Sequence, residues 1–405
     1  MTSRTLHRAA VLSLLGAALL SACSDRAPTG PAAAPPPAAH LTVIPTVAFD
    51  TLDGGENHAC ALASGQAWCW GRNAVGQLGD STATTRTAPV QVLQPSGVSF
   101  TQVSAGKVHN CAITSAGQAY CWGYNADGRL GDSTTSLGLA PVAVLPLGGV
   151  AFTSIHAGGE HTCGLNSAGQ AYCWGANDYG QLGDNTTDYA KVPVAVQHPS
   201  GVTFTSISAG SMHTCALDTT GQSWCWGYGG DGAMGGGFSL GDSVPVAVTH
   251  PVGVTFASLT TEYKHTCALT SGGQAYCWGG NGNGQLGDNT VTRRYTPVAV
   301  SQGLVTFASI TTGAAFTCAR TSAGQAYCWG YNSQGQVGDG SFTQRRTPVA
   351  VSQPSGVTFD VVSNQSYTGC ALDGIGQAWC WGKNDFYQFG DNTTSNSNVP
   401  TPVSH

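Results

Sequence analysis

From residue 41 on, the chain alternates apolar and polar positions in short runs. Val202-Thr203-Phe204-Thr205-Ser206-Ile207 and Gln118-Ala119-Tyr120-Cys121-Trp122 show the period of two of half-buried β-strands. These runs recur. The tripeptide Cys-Trp-Gly stands at 69–71, 121–123, 173–175, 225–227, 277–279, 328–330 and 380–382, with a usual step of 52 residues. Each unit carries four runs, of the types VTFTSI, HTCALT, QAYCWG and PVAV, separated by turn residues. Seven copies of a four-strand unit predict an all-β, seven-bladed β-propeller of four-stranded blades over residues 41–405. Loose strand edges invite aggregation. The terminal run Pro400-Thr401-Pro402-Val403 is therefore expected to pair with the first, Val47-Ala48-Phe49, so that one blade is built from both ends.

The motifs His-Thr-Cys-Ala-Leu, Tyr-Cys-Trp-Gly and Asn-x-x-Gly-Gln-Leu-Gly recur in order through the units. They resemble the repeats of the regulator of chromosome condensation family, and the resemblance covers residues 41–405. It implies a seven-bladed propeller. One family member is a nuclear exchange factor for a small GTPase, a role that does not suit an exported chain. A secreted β-lactamase inhibitor with this fold shows the scaffold binding protein outside the cell. Fold alone does not assign function.

Residues 1–23 read as an export signal. Arg4, His7 and Arg8 precede an apolar run from Ala9 to Leu20, too short to span a bilayer comfortably. The run ends in Leu20-Ser21-Ala22-Cys23, which resembles a bacterial lipoprotein box with Cys23 as the lipidated residue. Ser24 follows, which favours the outer membrane or cell surface of the bacterial envelope. Residues 24–40 form a Pro/Ala-rich tether, able to extend roughly 50 Å at about 3.1 Å per residue.

Composition narrows the function classes. Charged residues make up 9% of the chain, with three glutamates and four lysines, which excludes a helix-rich protein. A net charge of −6 argues against a phosphate-neutralising surface, so no nucleic-acid partner is expected. No Ser-His-Asp order, phosphate loop or zinc motif stands apart from the repeat, so no catalytic residue, cofactor or metal is assigned.

Fourteen cysteines remain after Cys23. They fall as pairs, each bracketing one hairpin: Cys60 with Cys69, Cys111 with Cys121, Cys163 with Cys173, Cys215 with Cys225, Cys267 with Cys277, Cys318 with Cys328, and Cys370 with Cys380. Counting outward from the turn Ser115-Ala116-Gly117 places Cys111 opposite Cys121 at a non-hydrogen-bonded pair. The shorter turn Ser64-Gly65 gives Cys60 and Cys69 the same parity. Seven cross-strand disulfides follow, suited to an oxidising compartment.

Other repeated residues read as scaffold. Tyr120 and Trp122 share one strand face and point at one neighbouring blade, with Cys121 facing the other. His58, His109, His161, His213 and His265 precede the first cysteine by two and are read as bonding adjacent backbone. Asp80, Asp132, Asp184, Asp288, Asp339 and Asp391 are expected to make Asx turns.

Function is sought where the repeat breaks. In an up-down meander the Ala-Gly-x-x-His loop and the long Gly-Asp loop share one rim. Units five to seven depart most there. Glu262 and Gln365 replace glycine, Phe316 replaces histidine, and Tyr367 joins them. Arg293-Arg294 and Arg345-Arg346 stand 52 residues apart, at positions expected to be equivalent. Unit four is loosened around Gly229, Met234 and Gly235-Gly236-Gly237. An Arg-and-aromatic cluster is the composition of binding hot spots. The sequence thus predicts a monomeric, lipid-anchored, non-enzymatic propeller whose partner is a protein or an anionic glycan, and which meets the membrane only through Cys23. A carbohydrate-binding module is the first alternative and an exported enzyme the second.

Overall fold

The computed structural model describes residues 47–145, 147–237, 240–364 and 366–404. Cys23, the signal and the tether lie outside the described residues, as does Gln365. Seven four-stranded sheets follow one another, each made of four consecutive antiparallel strands. Blade one comprises Thr51–Gly54, His58–Ala63, Gln66–Gly71 and Arg86–Gln91. Blade seven comprises Phe359–Asn364, Thr368–Asp373, Ala378–Gly382 and Ser397–Pro402. The first strands of successive blades are neighbours around the axis, and blade seven's meets blade one's.

The ring therefore closes differently from the expectation. Among the described residues no blade is shared between the first and last strands: Thr51–Gly54 pairs with its own hairpin, and Ser397–Pro402 pairs with Ala378–Gly382. The first strand of blade one lies at the axis and the last strand of blade seven at the periphery, so the two sit on opposite margins of their blades. Closure comes from packing and from main-chain and side-chain hydrogen bonds. Phe49 N–H donates to the Gly376 carbonyl (3.0 Å), Trp70 Nε1–H to the Gln388 carbonyl (2.8 Å), and Ser363 Oγ–H to Asp53 Oδ1 (2.9 Å). Phe49, Leu52 and Trp70 share a core with Leu372, Phe389 and Val403. Prolines such as Pro89, Pro297 and Pro400 stand in the outermost strands, where a missing donor blunts the free edge.

Seven disulfides join the paired cysteines, each within its own unit. Cys60 is bonded to Cys69, Cys111 to Cys121, Cys163 to Cys173 and Cys215 to Cys225. Cys267 is bonded to Cys277, Cys318 to Cys328 and Cys370 to Cys380. The Cα–Cα separations are 4.1–4.2 Å, and all fourteen cysteines are fully buried. The hairpin parity explains them: Thr114 and Gln118 close the turn, and Cys111 faces Cys121 three pairs further out.

Each core tryptophan is buried and faces the preceding blade. Trp122, Trp226, Trp278, Trp329 and Trp381 donate Nε1–H to the carbonyls of Gln77, Gln181, Ala233, Gln285 and Gln336 at 2.9–3.1 Å. The glycine after each tryptophan is required by shape. Gly123 has φ 107°, and a Cβ there would lie 2.6 Å from the Val108 carbonyl oxygen.

The histidines bond a neighbouring blade, not adjacent backbone. His109 Nε2 lies 2.8 Å from Thr162 Oγ1, His161 2.7 Å from Thr214, His213 3.0 Å from Thr266, and His265 2.9 Å from Thr317. His58 meets Asn110 Oδ1 at 2.8 Å. Thr162 donates its own proton to the Arg129 carbonyl (2.9 Å), so its oxygen accepts from His109 Nε2–H. That assigns the neutral tautomer with a bare Nδ1. Burial drives these imidazoles down in pKa, to about 4 for His58 and His213 and about 3 for His161 and His265.

Candidate functional site

The meander puts the loops after the first and third strands of every blade on one rim, and the two-to-three-residue hairpin turns on the other. The first rim is the candidate site, and six of its seven long loops share one anchor. Buried Asn73 accepts Leu78 N–H at Oδ1 (2.9 Å), while its Nδ2 donates to Asp80 Oδ1 (3.0 Å). Asp80 Oδ1 also accepts Thr82 N–H (3.1 Å), the expected Asx turn. The same turn forms at Asp132, Asp184, Asp288, Asp339 and Asp391. Burial alone would raise the Asp80, Asp288 and Asp339 pKa values. Hydrogen bonds from the loop hydroxyls and an arginine outweigh it and hold them low.

That arginine corrects the reading of the two Arg-Arg pairs. Arg86, Arg294 and Arg345 each stand six residues after the loop aspartate and pair with it, at 2.6, 2.7 and 2.6 Å. Arg294 is therefore equivalent to Arg345, because the step between units five and six is 51 residues. Arg294 and Arg345 are loop anchors. Arg346 is exposed, and its carbonyl accepts Asn289 N–H (3.0 Å). Phe316 is also withdrawn from the surface: it is fully buried with Cys318, Val337 and Trp381. The proposed seven-residue patch thus does not assemble as one surface.

Two groups do form. Glu262 and Tyr367 meet at the mouth of the axial channel, in a cavity of about 240 Å³ that Glu56, Lys107 and Tyr263 also line. Tyr367 is edge-on to Tyr331, with ring centroids 5.9 Å apart. The second group surrounds blade four. There Gly229 and Gly236 replace the loop's Asn and Asp, and the anchor is gone. The chain turns instead through Gly230–Gly232, with Asp231 at φ 61°. Asp231 takes ion pairs from Arg293 (2.7 Å) and Lys264 (3.3 Å) of blade five. Beside it lies a depression of about 330 Å³ walled by Tyr179, Tyr228 and exposed Leu240, with glycines at its base. The Tyr179 and Tyr228 rings meet edge to face at 5.2 Å. Of this group the sequence had marked Arg293 and the loosened loop. It had not marked Asp231, Tyr179 or Tyr228, although the simultaneous loss of Asn and Asp in one unit was visible.

Comparison with known proteins agrees with this architecture. The RCC1-like domain model matches residues 101–405, and the regulator of chromosome condensation (RCC1) repeat model matches residues 64–113. The chain belongs to the RCC1-like family. This RCC1-like chain is 31% identical over 352 residues to the ultraviolet-B receptor UVR8 of Arabidopsis thaliana, covering 86% of this chain and 80% of the receptor. It is also 31% identical over 312 residues to the human E3 ubiquitin-protein ligase HERC2, covering 75% of this chain and only 6% of the ligase. The fold matches yeast RCC1 (Prp20), solved bound to Kap60, with TM-score 0.73 and 20% identity over 89% of this chain and 86% of that one. It matches human WBSCR16 with TM-score 0.76 and 20% identity, covering 84% and 94%.

Proposed function

We propose that this RCC1-like propeller is a non-enzymatic binding scaffold that holds a protein partner on its loop rim. The observation carrying the reading is the break at blade four. There alone the repeated Asn–Asp anchor is replaced, and Tyr179, Tyr228, Leu240, Asp231, Arg293 and Lys264 are gathered in its place. Exposed tyrosine, arginine and an aliphatic side chain around a depression match the composition of binding hot spots. The rim is built from rigid blades, which spares a partner the cost of ordering it. Protein binding by this fold is also stated for yeast Prp20, solved with Kap60 and studied for its binding to Gsp1p and histones. The arginines expected to favour an anionic glycan largely pair with loop carboxylates, so the protein reading is preferred.

The address belongs to the same proposal. Seven buried disulfides suit an exported chain. With the lipobox at Cys23, they support a propeller tethered to the bacterial envelope, at the outer membrane or cell surface. The test is affinity capture from envelope extract with mass spectrometry. A partner recovered by the native propeller is to be lost when Tyr179→Ala, Tyr228→Ala and Arg293→Ala are combined. It is to be retained with Ser115→Ala and Ser167→Ala on the opposite rim. Equal loss from both rims would reject the assignment.

A further inference from the structure

Around the channel mouth, blades one to four and six carry glycine at the first position of the inner loop: Gly55, Gly106, Gly158, Gly210 and Gly313. The reason is close approach. A Cβ on Gly106 would lie 2.3 Å from the Gly158 carbonyl oxygen, and one on Gly158 2.4 Å from that of Gly210. Among the described residues, only Glu262 places a side chain at this position. It follows a shortened inner strand, Ser258–Thr261. The half-buried Glu262 carboxylate has no hydrogen bond from the protein among the described residues.

The groups facing Glu262 are Glu56 from blade one, Lys107 from blade two, Tyr263 from its own loop and Tyr367 from blade seven, with Asp53 on the inner strand of blade one. Burial first, then the negative charges of Asp53 and Glu56, push its pKa up to about 7, against a weaker pull from Lys107. An unpaired carboxylate held among acids and tyrosine rings is a poor resting place for an anion and a good one for an organic cation. Tyrosine faces attract an ammonium, and the apolar stem carrying it packs on the rings.

We propose that the channel mouth is a seat for an alkylammonium group, the side chain of a lysine presented by the partner protein, held by Glu262 and Glu56 and flanked by Tyr263 and Tyr367. This deepens the reading of the loop rim as a partner surface and rests on it. Seating the cation requires Glu262 ionised, so affinity rises as pH goes from about 6 to about 8. Lys107 competes for the same carboxylates, so Lys107→Ala strengthens binding.

The test uses a capped single-lysine peptide, acetyl-Gly-Gly-Lys-Gly-Gly-amide, titrated into propeller carrying ring-labelled tyrosine and followed by NMR. The expected result is saturable shifts of the Tyr263 and Tyr367 rings. They should be absent with norleucine in place of lysine, and about tenfold weaker in affinity with Glu262→Gln or Glu262→Gly. Glu262→Gly restores the residue of the neighbouring units and so tests the site without threatening the fold. Asp188→Asn, an acid elsewhere on the rim, should leave affinity within about twofold. Equal shifts with norleucine, unchanged affinity in both Glu262 variants, equal loss in Asp188→Asn, or no tyrosine shift would overturn the proposal. If the peptide fails while blade-four substitutions still abolish capture, only the lysine seat is rejected and the rim reading stands.

Discussion

Phe316 and Gly369 occupy the two positions that a histidine and its hydrogen-bond partner hold at five other blade junctions. Phe316 of blade six stands where five other blades carry histidine, and Gly369 of blade seven stands where that histidine's Thr or Asn partner would be. The ring accommodates the pair: Phe316 is fully buried, and a Cβ on Gly369 would lie 2.6 Å from the Trp381 ring. The next junction shows the same, with Thr368 in the histidine position and Ala59 in the partner position. Five junctions thus carry the histidine hydrogen bond, and the two flanking blade seven are held without it.

The bonded seams should contribute stability that denaturant unfolding reads. Replacing His213, buried against Thr266, leaves a cavity and takes away the N–H that Thr266 Oγ1 accepts, while that hydroxyl still donates to the Ala233 carbonyl. His213→Ala is expected to cost about 2–4 kcal/mol in denaturant unfolding. A double-mutant cycle with Thr266→Val should return a coupling of about 1 kcal/mol. Additive single effects would remove the bond from the account.

The same histidines set the acid limit. Each is neutral in the fold and has an ordinary pKa near 6.5 when unfolded. Below that value the unfolded chain takes up protons that the fold refuses. Stability is therefore full above pH 6.5 and falls as pH drops toward the folded values of about 4 to 3. The loss is on the order of 1 kcal/mol per histidine per pH unit. Glu262 works in the opposite direction. Its raised pKa makes the ionised carboxylate unfavourable in the fold, so Glu262→Gln should stabilise at pH 8 and be neutral at pH 4. Unfolding midpoints across this range check both signs.

Removing one bridge, with Cys267→Ala and Cys277→Ala together, should cost about 2–3 kcal/mol for a loop of this length. Non-reducing peptide mapping should show every bridge within its own unit and no titratable thiol in the folded domain. A bridge between blades, such as Cys173 with Cys225 or Cys328 with Cys380, would contradict the register.

Much of this was legible in the sequence because it is local. Strand period, turn length and the parity of Cys111 and Cys121 involve a dozen residues, and geometry fixes the outcome. The Asx turns were legible for the same reason. The His109–Thr162 seam was not, since its partner lies 53 residues away and depends on how blades stack. The usual step of 52 matches Arg293 with Arg345, whereas the loop aspartates Asp288 and Asp339 are 51 apart. Counting from the aspartate, the anchoring group, would have matched Arg294 with Arg345. Phe316 enters the expected patch because it breaks the repeat, and its burial depends on how neighbouring blades pack. The histidine it replaces already sits in the core.

The tether proposal has its own check. Growth of an expressing bacterial host with labelled palmitate should label the full chain, and Cys23→Ser should abolish the label. Labelling that survives the substitution would reject Cys23 as the lipid site.

We place the partner on the loop rim. Site-specific photo-crosslinking tests this placement most directly, with a benzophenone side chain placed at Leu240 or Tyr263 on that rim, or at Val252 or Leu304 on the opposite one. All four positions are exposed, so the probe does not disturb the core. A partner on the loop rim gives one crosslinked band from Leu240 and Tyr263 and none from Val252 and Leu304. A band from Val252 or Leu304 alone would contradict this placement.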